Sequence, residues 1–288
     1  MRCYLIILYG FISFSLTCQE IEQESLIQHS VSQGYDEQFI DLIEMIYGKG
    51  FLSQGGTASI DRMMSNLSLE NQKVLDIGSG LGGVVLYLAE RYPLDITGLE
   101  PQKYLYTRAV ESLNERTFRG SPRFVLMDHP ARLNQFPDES FDIVISKESI
   151  LHIPLEVKES FFLEIARVLK PRGKIVIMDW MRTVDQYSQK TKKMMDMDGV
   201  AYHLVTPTDY RSMLQDAGFS LVQMEDVSQE IVSCSQDNIH KIHEISPSIQ
   251  ERYGLEVYEY SIESWGYQRD AFASKELVAG IFRAEKSL

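Results

Sequence analysis

Short apolar runs alternate with amphipathic segments over residues 73–178, and this alternation limits the chain to few folds. Each run has the length of a buried strand, and the segments between them have helical spacing. Such a pattern predicts a doubly wound α/β fold with a mostly parallel sheet. Right-handed crossovers would bring the carboxyl ends of the strands to one edge, where ligands bind. The runs are 73–77, 95–99, 123–127, 141–146 and 174–178, and two more at 219–224 and 277–284 make seven predicted strands.

Regions outside this alternation are predicted to be mainly helical. Residues 35–47 carry apolar side chains at helical spacing, and glycines follow them. We therefore expect a helical lid over residues 21–57 and a main domain over 58–288. Two further helical insertions are expected within that domain, at about 183–217 and 228–275.

The first 20 residues form an apolar leader. One arginine precedes an apolar run of signal-peptide length, which is short for a membrane span, and no A-x-A cleavage site follows it. An export signal, a short anchor, a buried N-terminal helix and a product of start-site choice all remain open readings of this segment.

Charge and cysteine content exclude several classes of protein. The chain has 28 basic and 41 acidic residues, a net charge of −13, which repels phosphate backbones and argues against a nucleic-acid partner. Three cysteines cannot build a disulfide framework. His240 and His243, with Cys234 nearby, are interpreted as a solvated helix face, so no metal site is expected.

A glycine loop follows the first predicted strand and opens a helix. Gly78 and Gly80 would let the backbone approach a cofactor closely, and the preceding Asp76 suits a cationic cofactor better than a pyrophosphate. Glu100 ends the second strand, where an acid can bind ribose hydroxyls. Asp128 ends the third strand and can accept a hydrogen bond from an adenine amino group. These residues predict a nucleotide-like cofactor at the strand ends; the alternative is a tight turn with two surface acids.

The segments VLDIGSGLGG, FDIVISKESILHI and VLKPRGKIVIMDW, with the Glu100 and Asp128 strand ends, resemble class I S-adenosylmethionine-dependent methyltransferases. The resemblance covers roughly residues 73–180 and the last strand. It implies a Rossmann-like methyltransferase fold whose last strand is antiparallel. It also implies that Gly78, Gly80, Glu100 and Asp128 bind S-adenosyl-L-methionine.

A narrower resemblance, to the phosphoethanolamine N-methyltransferases, covers about residues 35–225. It is carried by Tyr35, FLSQGG, SILH and LVTPTDYRSMLQDAGF. It implies that Tyr35 and His152 form a catalytic pair across the substrate site and that Ser53 touches the cofactor. It further implies that Asp179 and Trp180 line the substrate pocket and that Tyr202 helps hold the substrate phosphate.

The position and chemistry of His152 also indicate a catalytic role without the family resemblance. It lies just past the fourth strand, and an unperturbed histidine has a pKa suited to taking a proton from an amine acceptor. The alternative is a histidine that packs or caps at the strand end. Trp180 and Tyr202 could likewise be packing residues, although an aromatic lining suits a cationic amine or sulfonium.

Two positions depart from the phosphoethanolamine family. Val200 stands where that family has an arginine, and Gln268 stands near its lysine. Phosphate binding needs such cationic donors, so we expect phosphoethanolamine to be a poor substrate and another amine to be preferred.

The expected activity is methyl transfer from S-adenosyl-L-methionine to a small molecule, at the nitrogen of an amino-alcohol such as phosphoethanolamine or of a related amine. Two alternatives stay open. One is carbon or oxygen methylation of a lipid or polyketide-like acceptor, and the other is a protein that binds the cofactor without catalysis. We expect a cytoplasmic monomer, with a membrane tether through residues 1–18 or export through the leader left open.

Overall fold

The computed structural model describes residues 37–128 and 132–288. One sheet contains seven strands, β1 (Lys73–Ile77), β2 (Asp95–Glu100), β3 (Ser121–Leu126), β4 (Phe141–Lys147), β5 (Leu169–Arg182), β6 (Phe219–Asp226) and β7 (Leu277–Lys286). Their order is β3-β2-β1-β4-β5-β7-β6. The neighbours β1 to β5 pair in parallel, and β7 runs antiparallel to both β5 and β6. The predicted doubly wound, mostly parallel sheet is therefore confirmed.

Helices cover both faces of the sheet and one of its edges. In chain order they are α1 (Glu37–Tyr47), α2 (Gly56–Met63), α3 (Gly83–Arg91), α4 (Lys103–Glu111), α5 (Leu155–Val168), α6 (Gln189–Asp198), α7 (Pro207–Asp216), α8 (Ser228–Glu244), α9 (Ser246–Tyr253) and α10 (Leu255–Ala273). Short 3₁₀ turns occupy Ser112–Glu115 and Ile150–His152.

The central strands are mostly apolar because both faces of the sheet are covered. Alternate residues of β1 enter different cores, with Val74 in one and Leu75 and Ile77 in the other. Full burial on both sides makes this sheet the rigid support of the strand ends where a ligand can bind.

A third apolar cluster holds α1 beside the last helices. Leu42, Ile43 and Ile46 of α1 pack with apolar residues of α8, α9 and α10, among them Ile242 and Trp265. This helix and the loop that follows it, residues 37–57, are the described part of the segment expected to be a lid. Residues 21–36, the leader 1–20 and Tyr35 lie outside the described residues.

Two elements differ from the pattern of the sequence by about five residues or more. The sequence of residues 57–69 predicts a helix, but α2 ends at Met63, and Asn66 then adopts a positive φ of 66° that a helix cannot contain. Strand β5 starts at Leu169, five residues before the predicted 174, because Leu169 pairs with Phe141 ahead of a register shift. In neither described range is any helix long and apolar enough to cross a bilayer.

Candidate functional site

A cavity of about 430 Å³ opens at the carboxyl ends of β1, β2, β4 and β5. Its lining runs from the loop after β1 to side chains of α6 and α10, and α1 covers part of it. Ligand sites in α/β sheets form at this edge, and the volume lies within the usual range for small molecules. The cavity therefore lies at the edge of the sheet where the sequence predicts a ligand site.

The glycine loop lies at one end of this cavity. Gly78 has φ 71° and Gly80 has φ 54°, conformations that side-chain-bearing residues rarely adopt. A Cβ atom at Gly78 would lie only 1.8 Å from the Ser149 hydroxyl oxygen. Glycine is needed here both for the backbone turn and for the close approach of the chain after β4.

Two buried carboxylates flank the loop. Glu100, 4% exposed, accepts hydrogen bonds from the backbone N–H of Gly80 at 2.8 Å and of Gln102 at 2.9 Å. Asp76 is 1% exposed, and its Oδ2 has no hydrogen-bond partner among the described residues. An unsatisfied buried carboxylate oxygen is costly, so this atom is suited to a donor supplied by a ligand.

Burial also changes the protonation of these acids. It raises the pKa of Asp76 to about 8, with the Glu100 charge adding to the effect and Lys147 opposing it. It raises the pKa of Glu100 to about 7, against the backbone hydrogen bonds from Gln102 and Gly80. A positive ligand charge would favour the ionised form of both acids.

Lys147, at the end of β4, lines the cavity and forms hydrogen bonds with the loop 51–56. Its ammonium donates to the Ser53 hydroxyl at 2.5 Å and to the Gln54 carbonyl at 2.8 Å, and it lies 3.7 Å from a Glu148 oxygen. Ser53 thus lines the cavity beside the glycine loop, as expected of a cofactor contact. Sequence reasoning did not assign a role to this lysine.

His152 ends the short turn after β4 and lines the same cavity. Its Nδ1 lies 2.8 Å from the Ala201 carbonyl oxygen, which can only accept, so Nδ1 carries the hydrogen and Nε2 keeps its lone pair. Burial lowers the pKa of His152 to about 4, while the Ala201 carbonyl opposes the shift. The ring is therefore neutral at pH 7, and it is a much weaker base than an unperturbed histidine.

Trp180 and Tyr202 form an aromatic wall next to His152. Their rings are stacked with centroids 5.8 Å apart, and the Tyr202 ring lies 5.5 Å from the His152 ring. The Tyr202 hydroxyl donates to Asp198 at 2.7 Å. All four residues line the cavity.

Asp179 does not share this wall, although the sequence places it there with Trp180. Consecutive residues of a strand face opposite sides of a sheet, so only one of the two can reach the cavity. The Asp179 carboxylate is fully buried, accepts a hydrogen bond from the Tyr210 hydroxyl at 3.1 Å and interacts with Lys158. The structure thus places it in the core on the other face.

Asp128 is exposed, follows β3 and does not line the cavity, whereas the neighbouring Met127 does. Residues 129–131 next to it are not described. Its assignment as an adenine contact stays a prediction, as does the Tyr35–His152 pair.

Sequence reasoning missed two acids of the cavity, Glu148 and Asp198. Glu148 follows β4 with φ 51°, an uncommon backbone conformation of the kind that clusters at functional sites, and its Oε1 has no hydrogen-bond partner among the described residues. Its position directly after a strand was an available signal. Asp198 ends the polar helix α6, where the sequence offers no such signal.

Comparisons with known proteins agree with this geometry. The family described as "Methyltransferase domain" matches residues 75–177. The chain is 30% identical over 200 residues to the phosphoethanolamine N-methyltransferase of Plasmodium falciparum, covering 67% of this chain and 71% of that protein. It is 29% identical over 245 residues to phosphoethanolamine N-methyltransferase 1 of Arabidopsis thaliana, covering 85% of this chain and 48% of that one.

Solved structures share the fold. One is phosphoethanolamine N-methyltransferase 2 of Haemonchus contortus in complex with phosphomonomethylethanolamine and S-adenosylhomocysteine. It superposes with a TM-score of 0.80 at 21% identity, covering 92% of this chain and 60% of that one. The chain spans about half the length of the plant relatives that it matches. From its match to the Plasmodium protein and its cavity at the strand ends, the chain belongs to the phosphoethanolamine N-methyltransferase family of class I methyltransferases.

Proposed function

We propose that the chain is an S-adenosylmethionine-dependent methyltransferase that acts on the nitrogen of a small amine. The acceptor class is that of the amino-alcohols, to which phosphoethanolamine belongs. The observation that carries this proposal is a single cavity that joins the glycine loop and two buried acids to a wall of His152, Trp180 and Tyr202. Family membership supports the same reading.

The residues at the glycine-loop end fit S-adenosylmethionine. Asp76 and Glu100 offer carboxylate oxygens to an ammonium group and to ribose hydroxyls, and Ser53 offers a hydroxyl. When bound, the cofactor would supply an electrophilic methyl group beside a positive sulfur. Buried carboxylates with raised pKa values suit a cation, because its charge restores the ionised form that burial disfavours.

The residues at the other end fit an amine. A nitrogen nucleophile must present a free lone pair, so its N–H bonds need acceptors that orient it. The neutral His152 ring offers Nε2, and Glu148 offers an oxygen without another hydrogen-bond partner in the described part of the chain.

We propose that Glu148 accepts the proton of the acceptor ammonium group and that His152 orients the acceptor nitrogen. Burial raises the pKa of Glu148, against the effect of Lys147, whereas it lowers that of His152 to about 4. A group with a pKa near 4 accepts a proton poorly from an ammonium ion, and a carboxylate with a raised pKa accepts it better. Catalysis then consists mainly of aligning the acceptor and excluding water.

Methyl transfer from radiolabelled S-adenosylmethionine to a panel of small amines tests the proposal. The panel contains ethanolamine, its phosphate and N-methylated amino acids, and calorimetry measures cofactor binding separately. We expect labelled amine products from the full chain. Cofactor binding without transfer to any acceptor would contradict the proposal and favour a non-catalytic binding protein, and labelled oxygen or carbon products would contradict the choice of nitrogen.

Gly78→Ala supplies the matched negative control. The added Cβ would collide with Ser149, so cofactor binding and transfer should both fall. Gly266→Ala, in α10, adds a methyl group into open space and should leave both unchanged.

A further inference from the structure

Helices α6 and α10, together with Tyr202, build one wall of the cavity. We name this surface the far wall and define it as Asp198, Tyr202, Tyr260, Ser264 and Trp265, all of which line the cavity. Asp198 is its one acid and accepts hydrogen bonds from the Tyr202 hydroxyl at 2.7 Å and the Ser264 hydroxyl at 3.3 Å. Both bonds hold the carboxylate in one orientation at the cavity surface.

No basic side chain of the described residues neutralises this acid. Among those that line the cavity, only Lys147 and His152 are basic. The Lys147 ammonium is bound to Ser53 and Gln54, and the His152 ring is neutral at pH 7. Burial raises the pKa of Asp198 to about 6, and hydrogen bonds from Tyr202 and Ser264 oppose the rise. At neutral pH the far wall therefore carries an uncompensated negative charge.

The side chains near Asp198 are neutral as well. Val200 lines the cavity with an apolar side chain. Gln268 also lines it with an uncharged amide, whose Oε1 lies 3.3 Å from the Ser235 hydroxyl oxygen. Neither residue can offer a phosphate dianion a cationic donor such as a guanidinium or ammonium group.

An independent observation points to a ligand with polar hydrogens. Glu148 lines the same cavity, and its buried Oε1 has no hydrogen-bond partner in the described residues, while the Lys147 ammonium lies 3.7 Å from it. The stacked rings of Trp180 and Tyr202 line the same cavity, and the faces of aromatic rings attract cations. A phosphate would face two carboxylates here, whereas a donor group would satisfy them.

From this arrangement we infer that Asp198 is a specificity-determining residue that selects an unphosphorylated acceptor amine. Its carboxylate accepts a hydrogen bond from a hydroxyl or a second ammonium group of the substrate. That group is at the end of the substrate opposite the nitrogen that is methylated. This inference rests on the proposed function and narrows its substrate class. The acid excludes the phosphate ester by repulsion and binds the free alcohol or diamine by a charge-assisted hydrogen bond.

The test compares kcat/KM for ethanolamine, 1,2-diaminoethane and phosphoethanolamine with the full chain. We expect at least tenfold higher kcat/KM for one of the two unphosphorylated acceptors, and the preferred one identifies the donor as hydroxyl or ammonium. Asp198→Asn should lower that value by roughly ten- to 100-fold, the effect of one hydrogen bond to a charged group. It should also raise the relative use of phosphoethanolamine.

Asp196→Asn is the matched control, since Asp196 is an exposed acid on the same helix that does not line the cavity. It should leave all three values unchanged, and unchanged cofactor affinity of Asp198→Asn shows that this variant folds. A wild-type preference for phosphoethanolamine, or an acceptor ratio unaffected by Asp198→Asn, would overturn the inference while the proposed function stands. Failure of the wild type to methylate any amine would instead overturn the proposed function and the inference that rests on it.

Discussion

Glu100 serves the fold and the proposed cofactor site at once. Its two oxygens each accept one backbone N–H, from Gly80 and from Gln102, which fixes the glycine loop against the end of β2. Each oxygen retains accepting capacity for a ligand hydroxyl. The same side chain therefore orders the loop and faces the cavity.

Glu100→Ala should weaken S-adenosylmethionine binding by roughly 1–3 kcal/mol, because it leaves ligand and backbone donors unsatisfied. Calorimetry measures the change directly. Glu70→Ala, an exposed acid in the turn before β1, is the control and should bind normally. Unchanged affinity in Glu100→Ala would remove Glu100 from the site.

His152→Ala should lower turnover about 10²-fold or more while cofactor affinity stays unchanged, since Nε2 would no longer orient the acceptor. With its pKa near 4, the ring should produce no inflection near pH 6.5 in the turnover profile. His240→Ala, an exposed histidine of α8, should behave as wild type. Wild-type turnover in His152→Ala would support a packing role, and an inflection near pH 6.5 that this variant loses would contradict the lowered pKa.

At the scale of elements, Lys147 connects β4 to the loop between α1 and α2. Lys147→Met should release that loop, because the Ser53 and Gln54 bonds disappear and Glu148 loses its nearby cation. Hydrogen exchange of residues 51–56 should then accelerate, and cofactor affinity should fall at least tenfold. Burial lowers the pKa of Lys147, and the Glu148 charge opposes this effect.

Lys174→Met is the matched control for this element, since Lys174 is an exposed lysine in β5. It should leave the exchange of residues 51–56 and cofactor binding unchanged. Unaltered exchange in Lys147→Met would mean that packing alone, through residues such as Phe51 and Leu52, holds the loop.

The central strands could be predicted from the sequence because both of their faces are buried, so each appears as a mostly apolar run. The face of the sheet on which each single side chain lies could not be predicted, since Asp179 and Trp180 are neighbours in a run that is apolar on both sides. Asp198 was missed for a different reason. It lies on α6, whose other residues are mostly polar, and only the packing of α6 on α10 turns one of its acids toward the cavity.

At the scale of the whole molecule, buried acids couple stability to pH. Burial raises the folded-state pKa values of Asp76 to about 8 and Glu100 to about 7, above the values near 4 of an unfolded chain. The folded state then holds protons that the unfolded state has released. The contribution of these two acids to the stability of the folded state is fully present below about pH 4 and is lost as the pH rises through 7 and 8.

The free energy of unfolding without cofactor should fall by roughly 1–3 kcal/mol between pH 6.5 and 8.5. Urea denaturation at the two pH values measures it. His152, which titrates near pH 6.5 only in the unfolded chain, offsets the fall by less than about 1 kcal/mol. Asp76→Asn should remove most of the dependence, and added S-adenosylmethionine should reduce it. Equal or greater stability at pH 8.5 would show that these acids are already ionised in the folded protein.

The position of β7 sets the order in which the protein can be completed during synthesis. This strand comes after all the other described strands in sequence, yet it lies between β5 and β6, and β6 pairs with no other strand of the described residues. Residues 277–286 must therefore be synthesised and leave the ribosome before β6 can join the sheet. Until then β5 and β6 each present an unpaired edge, the kind of surface that other nascent chains can pair with. The arrival of β7 covers one edge of each of these two strands and joins β6 to the sheet.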